Sequence, residues 1–281
     1  MRQLIIIAIL GLSGLLVNAQ STGTAQPSLR FIRNATLTLN YAGHKILVDP
    51  LLLPKGSMGS IWGKAKSPMV ELPIPVEEII HDVDLVLVTH NHPDHFDTVA
   101  SSVLNKSIKL INQPKDKDFF NKQGFVNAES LEESLIWKGI TITRTNAQHG
   151  TGEILLRMGN GSGYVLQALN QPTIYIVGDA VWTEDINQNI KRFQPDYVIV
   201  NSGGAVFPKF PATPILMDAD ETMALIQESG EAKVIAVHMD AIDHCLTTRD
   251  ILKAKAKDFK IDSQKLLIPD DGETLELQFN R

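Results

Sequence analysis

Apolar residues in this chain gather in short runs separated by turn-forming residues. Residues 85–88, Leu-Val-Leu-Val, form the plainest run, and 84–89 reads as a buried strand. Residues 173–177, 197–200 and 234–237 are similar β-branched or aromatic runs, and 109–112, 139–146 and 152–157 read as further strands. Residues 31–39 partly alternate, and 45–48 follow a turn containing Gly43, which predicts an opening antiparallel pair. Helical spacing predicts helices over 184–193, 218–228 and 248–259, with another starting near Asp97 or Thr98. Residues 266–268 and 274–279 close the chain as strands. Hairpins thus open each half and strand–helix alternation follows, the pattern of an α/β layered fold with mixed sheets.

Between Pro50 and the strand at 84–89 lies a different kind of segment. Residues 51–75 hold four prolines and three glycines, together with Met58, Ile61 and Trp62. A long loop follows from that composition, its apolar residues forming either a satellite cluster or one wall of a substrate cleft.

With 281 residues and 43% hydrophobic content, the chain can build one large core. A net charge of -6 without a sustained basic block gives no footprint for nucleic acid or anionic membrane. Arg2, the apolar stretch 4–17 and Ala19 read as a secretory signal peptide over 1–19, followed by a linker over 20–28 and a domain over 29–281. Export to periplasm or medium is the expectation, with no stable membrane span after cleavage. Oligomeric state is open. Cys245 is the only cysteine, so no internal disulfide supports the fold.

The chemistry concentrates in residues 89–97, Thr-His-Asn-His-Pro-Asp-His-Phe-Asp. Imidazoles and carboxylates at this density need partners or a cation when buried. His90 and His92, two apart in an extended segment, present both rings to one side, and Asp94 and His95 follow a proline turn. His149, Asp179 and His238 each stand at or just beyond a predicted strand end, where they can reach the same cleft. Each of the three alone reads equally as a hydrogen-bonded surface or capping residue.

These motifs, with Val48-Asp49-Pro50 and Gly178-Asp179, resemble the metallo-β-lactamase-fold superfamily. The branch of ascorbate-6-phosphate lactonase and N-acylphosphatidylethanolamine phospholipase D looks nearest. The resemblance covers most of 31–281 and implies a four-layer αβ/βα sandwich of two mixed sheets flanked by helices. It implies that His90, His92 and His149 hold one metal, that Asp94, His95 and His238 hold a second, and that Asp179 bridges them. The cofactors would be two divalent ions, zinc by default and manganese or iron as alternatives. Ala180-Val181-Trp182 after Asp179 and Met239 after His238 depart from the family pattern, leaving the substrate contacts open.

Two such ions would share a metal-bound hydroxide for attack on an acyl or phosphoryl centre. Asp94 is then both a ligand and the candidate for orienting the nucleophile or taking its proton. Asp49 and Asp97 are candidates for holding ligand rings or loops, or for capping. His244, six residues after His238, is a candidate for proton donation or a leaving-group contact, with helix capping or packing on Cys245 as the alternative. The expected substrate is a small molecule, a lactone or other carboxylic ester. A phosphodiester or phospholipid is the alternative, with Lys64, Lys66 and Lys209 available for phosphate. A secreted metal-binding protein without catalysis is the third reading.

Overall fold

Leu85 and Leu87 face one layer of the molecule, while Val86 and Val88 face another. The same two-residue alternation repeats across neighbouring strands, so each sheet is apolar on both faces and is covered on both. A computed structural model describes residues 26–279. The signal-peptide expectation over 1–19 lies outside the described residues.

The first half of the chain runs β1 (Ser28–Arg33), β2 (Thr36–Tyr41), β3 (His44–Val48), α1 (Val76–Ile80), β4 (Leu85–Leu87), α2 (Thr98–Val103), β5 (Lys109–Asn112), α3 (Lys117–Lys122) and β6 (Ala128–Ser130). The second runs β7 (Ser134–Trp137), β8 (Ile140–Gln148), α4 (Gly152–Met158), β9 (Asn160–Gln167), β10 (Ile174–Ile176), α5 (Glu184–Phe193), β11 (Tyr197–Asn201), α6 (Ala219–Glu228), β12 (Lys233–Val237), α7 (Arg249–Asp258), β13 (Leu266–Leu267) and β14 (Thr274–Glu276).

Two seven-stranded sheets result, ordered β14-β1-β2-β3-β4-β5-β6 and β13-β12-β11-β10-β9-β8-β7. Both are mixed: β1 to β3 pair antiparallel and β3 to β6 parallel, while β7 to β10 pair antiparallel and β10 to β13 parallel. The last strand crosses back to pair with β1. Leu39, Val48, Leu87, Ile142, Tyr164, Ile199 and Val237 belong to the core shared by the sheets. Tyr175, Val198 and Ala236 pack outward with Ile186, Met223 and Leu252 of α5, α6 and α7. Leu47, Val86 and Leu110 pack outward with Ala100 and Phe120 of α2 and α3. Helix, sheet, sheet, helix is therefore the layering, as the sequence led one to expect.

Side-chain caps fix where the longer helices begin. Thr183, Asp218 and Thr248 each accept a backbone N–H three residues on, at the start of α5, α6 and α7. No described helix is long and apolar enough to cross a membrane.

Local readings differ in several places, and α1, α3, β6 and β7 had no reading at all. Residues 31–39 hold a turn at Asn34 (φ 56°), so three strands open the chain. Residues 152–157 form most of α4 rather than a strand, burying Ile154 and leaving Leu156 in solvent. Strand β9 has no counterpart in the apolar-run reading, because its first four residues are Asn-Gly-Ser-Gly.

The 51–75 segment is a long loop held from beneath by two buried charges. Arg33, fully buried, donates to the carbonyls of Leu51, Leu53 and Val70. The carboxylate of Asp97 accepts the N–H groups of Leu52 and Leu53 while capping α2 through Ala100.

Candidate metal centre

Four of the candidate ligands sit just past a strand, at the edge where both sheets end, and His92, Asp94 and His95 follow His90 in the loop before α2. His90 follows β4, His149 follows β8, Asp179 follows β10, and His238 follows β12. The strands therefore bring together side chains up to 148 residues apart, the span from His90 to His238.

The donor atoms form two adjoining groups. His90 Nε2 lies 2.9 Å from His92 Nδ1, which lies 3.3 Å from His149 Nε2. In the second group, His238 Nε2 lies 3.2 Å from His95 Nε2 and 3.3 Å from Asp94 Oδ2. Asp179 stands between them: its Oδ2 is 3.9 Å from His90 Nε2 and 3.6 Å from His149 Nε2, yet 3.3 Å from His95 Nε2. Within each of the triads His90–His92–His149, His90–His95–Asp179 and Asp94–His95–His238, all donor atoms lie within 4.8 Å of one another. Ligands about 2.1 Å from a tetrahedral ion are roughly 3.4 Å apart, so the spacing suits one cation per group.

Hydrogen bonds on the far side of the rings set which nitrogen carries a lone pair. His149 Nδ1 meets the Ile215 carbonyl at 2.6 Å, and a carbonyl only accepts, so Nδ1 holds the proton and Nε2 faces the cleft bare. His95 Nδ1 likewise donates to Asp49 Oδ2 at 2.9 Å. Thr89 Oγ1 donates to that same carboxylate at 2.7 Å, so it can only accept from His90 Nδ1, 3.1 Å away. One buried aspartate thus orients two rings, directly and through a threonine. His238 Nδ1 lies 3.5 Å from Cys245 Sγ.

Lone pairs facing one another demand a positive charge among them, and the electrostatics of the neighbouring groups run the same way. Burial resists charge on His95, but Asp179, Asp94 and Asp49 raise its pKa to about 10. Burial is likewise outweighed at His238, which Asp179 and then Cys245 raise well above the ordinary imidazole range. Burial opposes charge on Asp94 and Asp179, but neighbouring His95 and His238 hold both carboxyls well below the carboxylate range. Burial lowers His90 well below the ordinary range, brings His92 to about 4 and lowers His149. Without cations, protons on His95 and His238 balance the carboxylates; metal binding would displace them. The residues fit a cationic centre.

His244 lies beside the second group, 5% exposed, with its ring 5.4 Å from that of Phe207 and its Nδ1 without a hydrogen-bond partner. Burial lowers its pKa, against the pull of Asp94. It caps no helix; Thr248 caps α7. Asp97 holds the loop and caps α2, and none of its hydrogen bonds reaches a candidate ligand. Asp49 does hold the ring of a candidate ligand, His95. Trp182 packs against the outer helical layer, and Trp62 is fixed by its backbone to Asp243.

Two asparagines that sequence reasoning passed over shape the centre. Asn201, at the end of β11, donates to Asp179 Oδ1 at 2.6 Å. Asn34 donates from Nδ2 to the Asp94 carbonyl at 2.9 Å and accepts the His238 N–H at 2.7 Å, tying together the two ends of the second group. A polar residue ending an apolar strand was the available signal for Asn201. Asn34 offered only its turn preference.

A four-layer αβ/βα sandwich with paired His/Asp groups at one sheet edge defines a class of protein. The beta-lactamase superfamily domain matches residues 44–239, and the chain belongs to that family, the metallo-β-lactamase-fold superfamily. Similarity is high to UPF0173 protein YddR of Bacillus subtilis (strain 168), 36% identical over 251 residues, covering 86% of this chain and 97% of that protein. A crystal structure of an isothiocyanate hydrolase from Delia radicum gut bacteria superposes with a TM-score of 0.82 at 37% identity, covering 88% of this chain and 98% of that one. A protein described as a possible metal-dependent hydrolase, from Veillonella parvula DSM 2008, superposes at 0.86 with 34% identity, covering 90% and 100%. Fold and donor clusters together support a metal-dependent hydrolase of this superfamily, UPF0173-like. They do not single out the ascorbate-6-phosphate lactonase and phospholipase D branch.

Proposed function

We propose that the protein hydrolyses an uncharged small molecule at an electrophilic carbon, a lactone or other carboxylic ester being the favoured substrate class. The observation that carries this is Asp179, whose one oxygen, Oδ2, lies within 3.9 Å of His90, His95 and His149 while Oδ1 lies 3.7 Å from His238. Such a carboxylate lets two donor groups act on one reacting centre. Two divalent ions, zinc by default and manganese or iron as alternatives for an all-nitrogen and oxygen donor set, would supply a water acidified toward neutrality and a Lewis acid for the substrate oxygen. The chain's own residues do the remaining work. His90, His92 and His149 would hold one ion, and Asp94, His95 and His238 the other. Asp94, the most solvent-accessible carboxylate of the set with 16% of its side chain exposed, accepts the nucleophile's proton at a carboxylate oxygen. His244 Nδ1, buried and without a hydrogen-bond partner, would be the group to meet the leaving group.

Carbon rather than phosphorus is also supported by the similar protein named isothiocyanate hydrolase. That name adds a heterocumulene carbon to the substrates worth testing. A phosphodiester is the second reading, favoured by Lys209 at the rim of the neighbouring cavity. Matched panels of lactones, aryl esters, isothiocyanates and phosphodiesters, offered to metal-loaded protein with His92→Ala as control, decide among these. Turnover of a carbon electrophile, lost in His92→Ala, supports the reading. Turnover of phosphodiesters alone replaces it, and no turnover in any panel leaves a metal-binding protein without catalysis. Export is part of the same reading and rests on residues 1–19; N-terminal sequencing of the mature chain tests it.

A further inference from the structure

We propose that a cavity beside the His/Asp centre is the subsite for an uncharged aryl or alkyl tail of the substrate. It has a volume of about 400 Å³ and is walled by Ile61, Ile154, Met158, Phe207, Pro208 and Phe210. That size and lining are those of a small-molecule site. The proposal rests on the hydrolase reading above and adds the part of the substrate that does not react.

Three contacts join the cavity to the centre. Phe207 packs its ring against His244, 5.4 Å between centroids. Ile154 stands so close to Gly150, the residue after His149, that a β-carbon there would be 3.0 Å from its Cγ2. Ile61 is held by Asp243, the residue before His244, which accepts the N–H of Ile61 at 2.9 Å, that of Trp62 at 3.0 Å, and the hydroxyl of Ser60. The 51–75 loop therefore does not drape freely; its tip is fixed to the same turn that carries His244. A tail in the cavity would lie against Phe207 and Ile154, the residues that pack on His244 and on Gly150.

Only Arg157 and Lys209 of the lining residues are charged, and the apolar wall argues for an uncharged tail. Arg157 is already paired with Glu153 and lies over the Phe210 ring at 5.2 Å. Lys209 is exposed on the rim. What remains is apolar surface, and Ile61 keeps 39% of its area in water that a tail would cover.

The test uses the full chain, Ile61→Asp and Phe210→Asp, with two neutral probes, N-(2-phenylethyl)acetamide and N-ethylacetamide, titrated by NMR into metal-free and metal-loaded protein. The phenylethyl probe should bind about tenfold more tightly or better, and Ile61→Asp, a half-exposed position that does not threaten folding, should remove that preference. For esters with the same two tails, the ratio of kcat/KM should fall about tenfold in either variant at unchanged metal content. Equal binding of the probes overturns the proposal. So does a preference that survives Ile61→Asp. If the phenylethyl preference appears but no ester, lactone or isothiocyanate is turned over, the subsite stands and the hydrolase reading falls.

Discussion

Gly178 lies so close to Ser162 that a β-carbon on it would stand 2.5 Å from the Ser162 carbonyl oxygen. Its φ of +75° is also one that only glycine adopts without strain. The next residue is Asp179, so this contact sets the position of the carboxylate shared by both donor groups. Gly178→Ala is expected to lower stability by about 2–3 kcal/mol and to displace Asp179. Thermal melts of metal-free protein should show the loss, and metal titration should show weakened binding of both ions.

Asp49 orients His95 directly and His90 through Thr89. Asp49→Asn keeps the shape but not the charge. The expected result is a loss of metal affinity of about 10–100-fold, larger for the group containing His95, where the bond is direct. Competitive chelator titration measures both affinities.

Glu221, in the first turn of α6, has an unpartnered buried Oε2, and burial followed by the nearby Asp218 carboxylate raises its pKa to about 7. In the unfolded chain it ionises near 4.5. The folded state therefore holds the proton longer, and stability declines as pH rises from about 4.5 to 7. Glu221→Gln should flatten that slope and raise stability at pH 8 by about 1 kcal/mol, a figure kept small because the carboxylate is partly solvated. Urea melts across this pH range check it.

His244→Ala should retain both metal ions yet lose about 100-fold in kcat, because its Nδ1 has no structural partner to lose. Full turnover with full metal content would remove His244 from the chemistry.

The plainest signals in the sequence were local, although strand ends also pointed His149, Asp179 and His238 toward one cleft. Residues 89–97 announce themselves because five of the nine positions carry imidazole or carboxylate, and the apolar runs at 85–88 and 234–237 mark strands buried on both faces. Strand β9 was hidden in part because one of its glycines meets a requirement set elsewhere: a β-carbon on Gly163 would lie 2.6 Å from the Ile176 carbonyl oxygen of the adjoining strand. Residues 152–157 look β-prone by composition, but only Ile154 of this short segment is buried, which a helix allows. Asn34 and Asp243 act across 60 and 182 residues, on Asp94 and Ile61, and no spacing rule reaches that far. The expectation that the 51–75 loop could wall a cleft held a residue, Ile61, that does line a cavity; its other walls come from α4 and 207–210.

Anomalous-difference diffraction from crystals of the metal-loaded protein measures the central claim directly. Two peaks about 3.5–4 Å apart are expected, one against His90, His92 and His149, the other against Asp94, His95 and His238, with Asp179 between. A single ion in one group, or metal bound only away from these seven side chains, would contradict it.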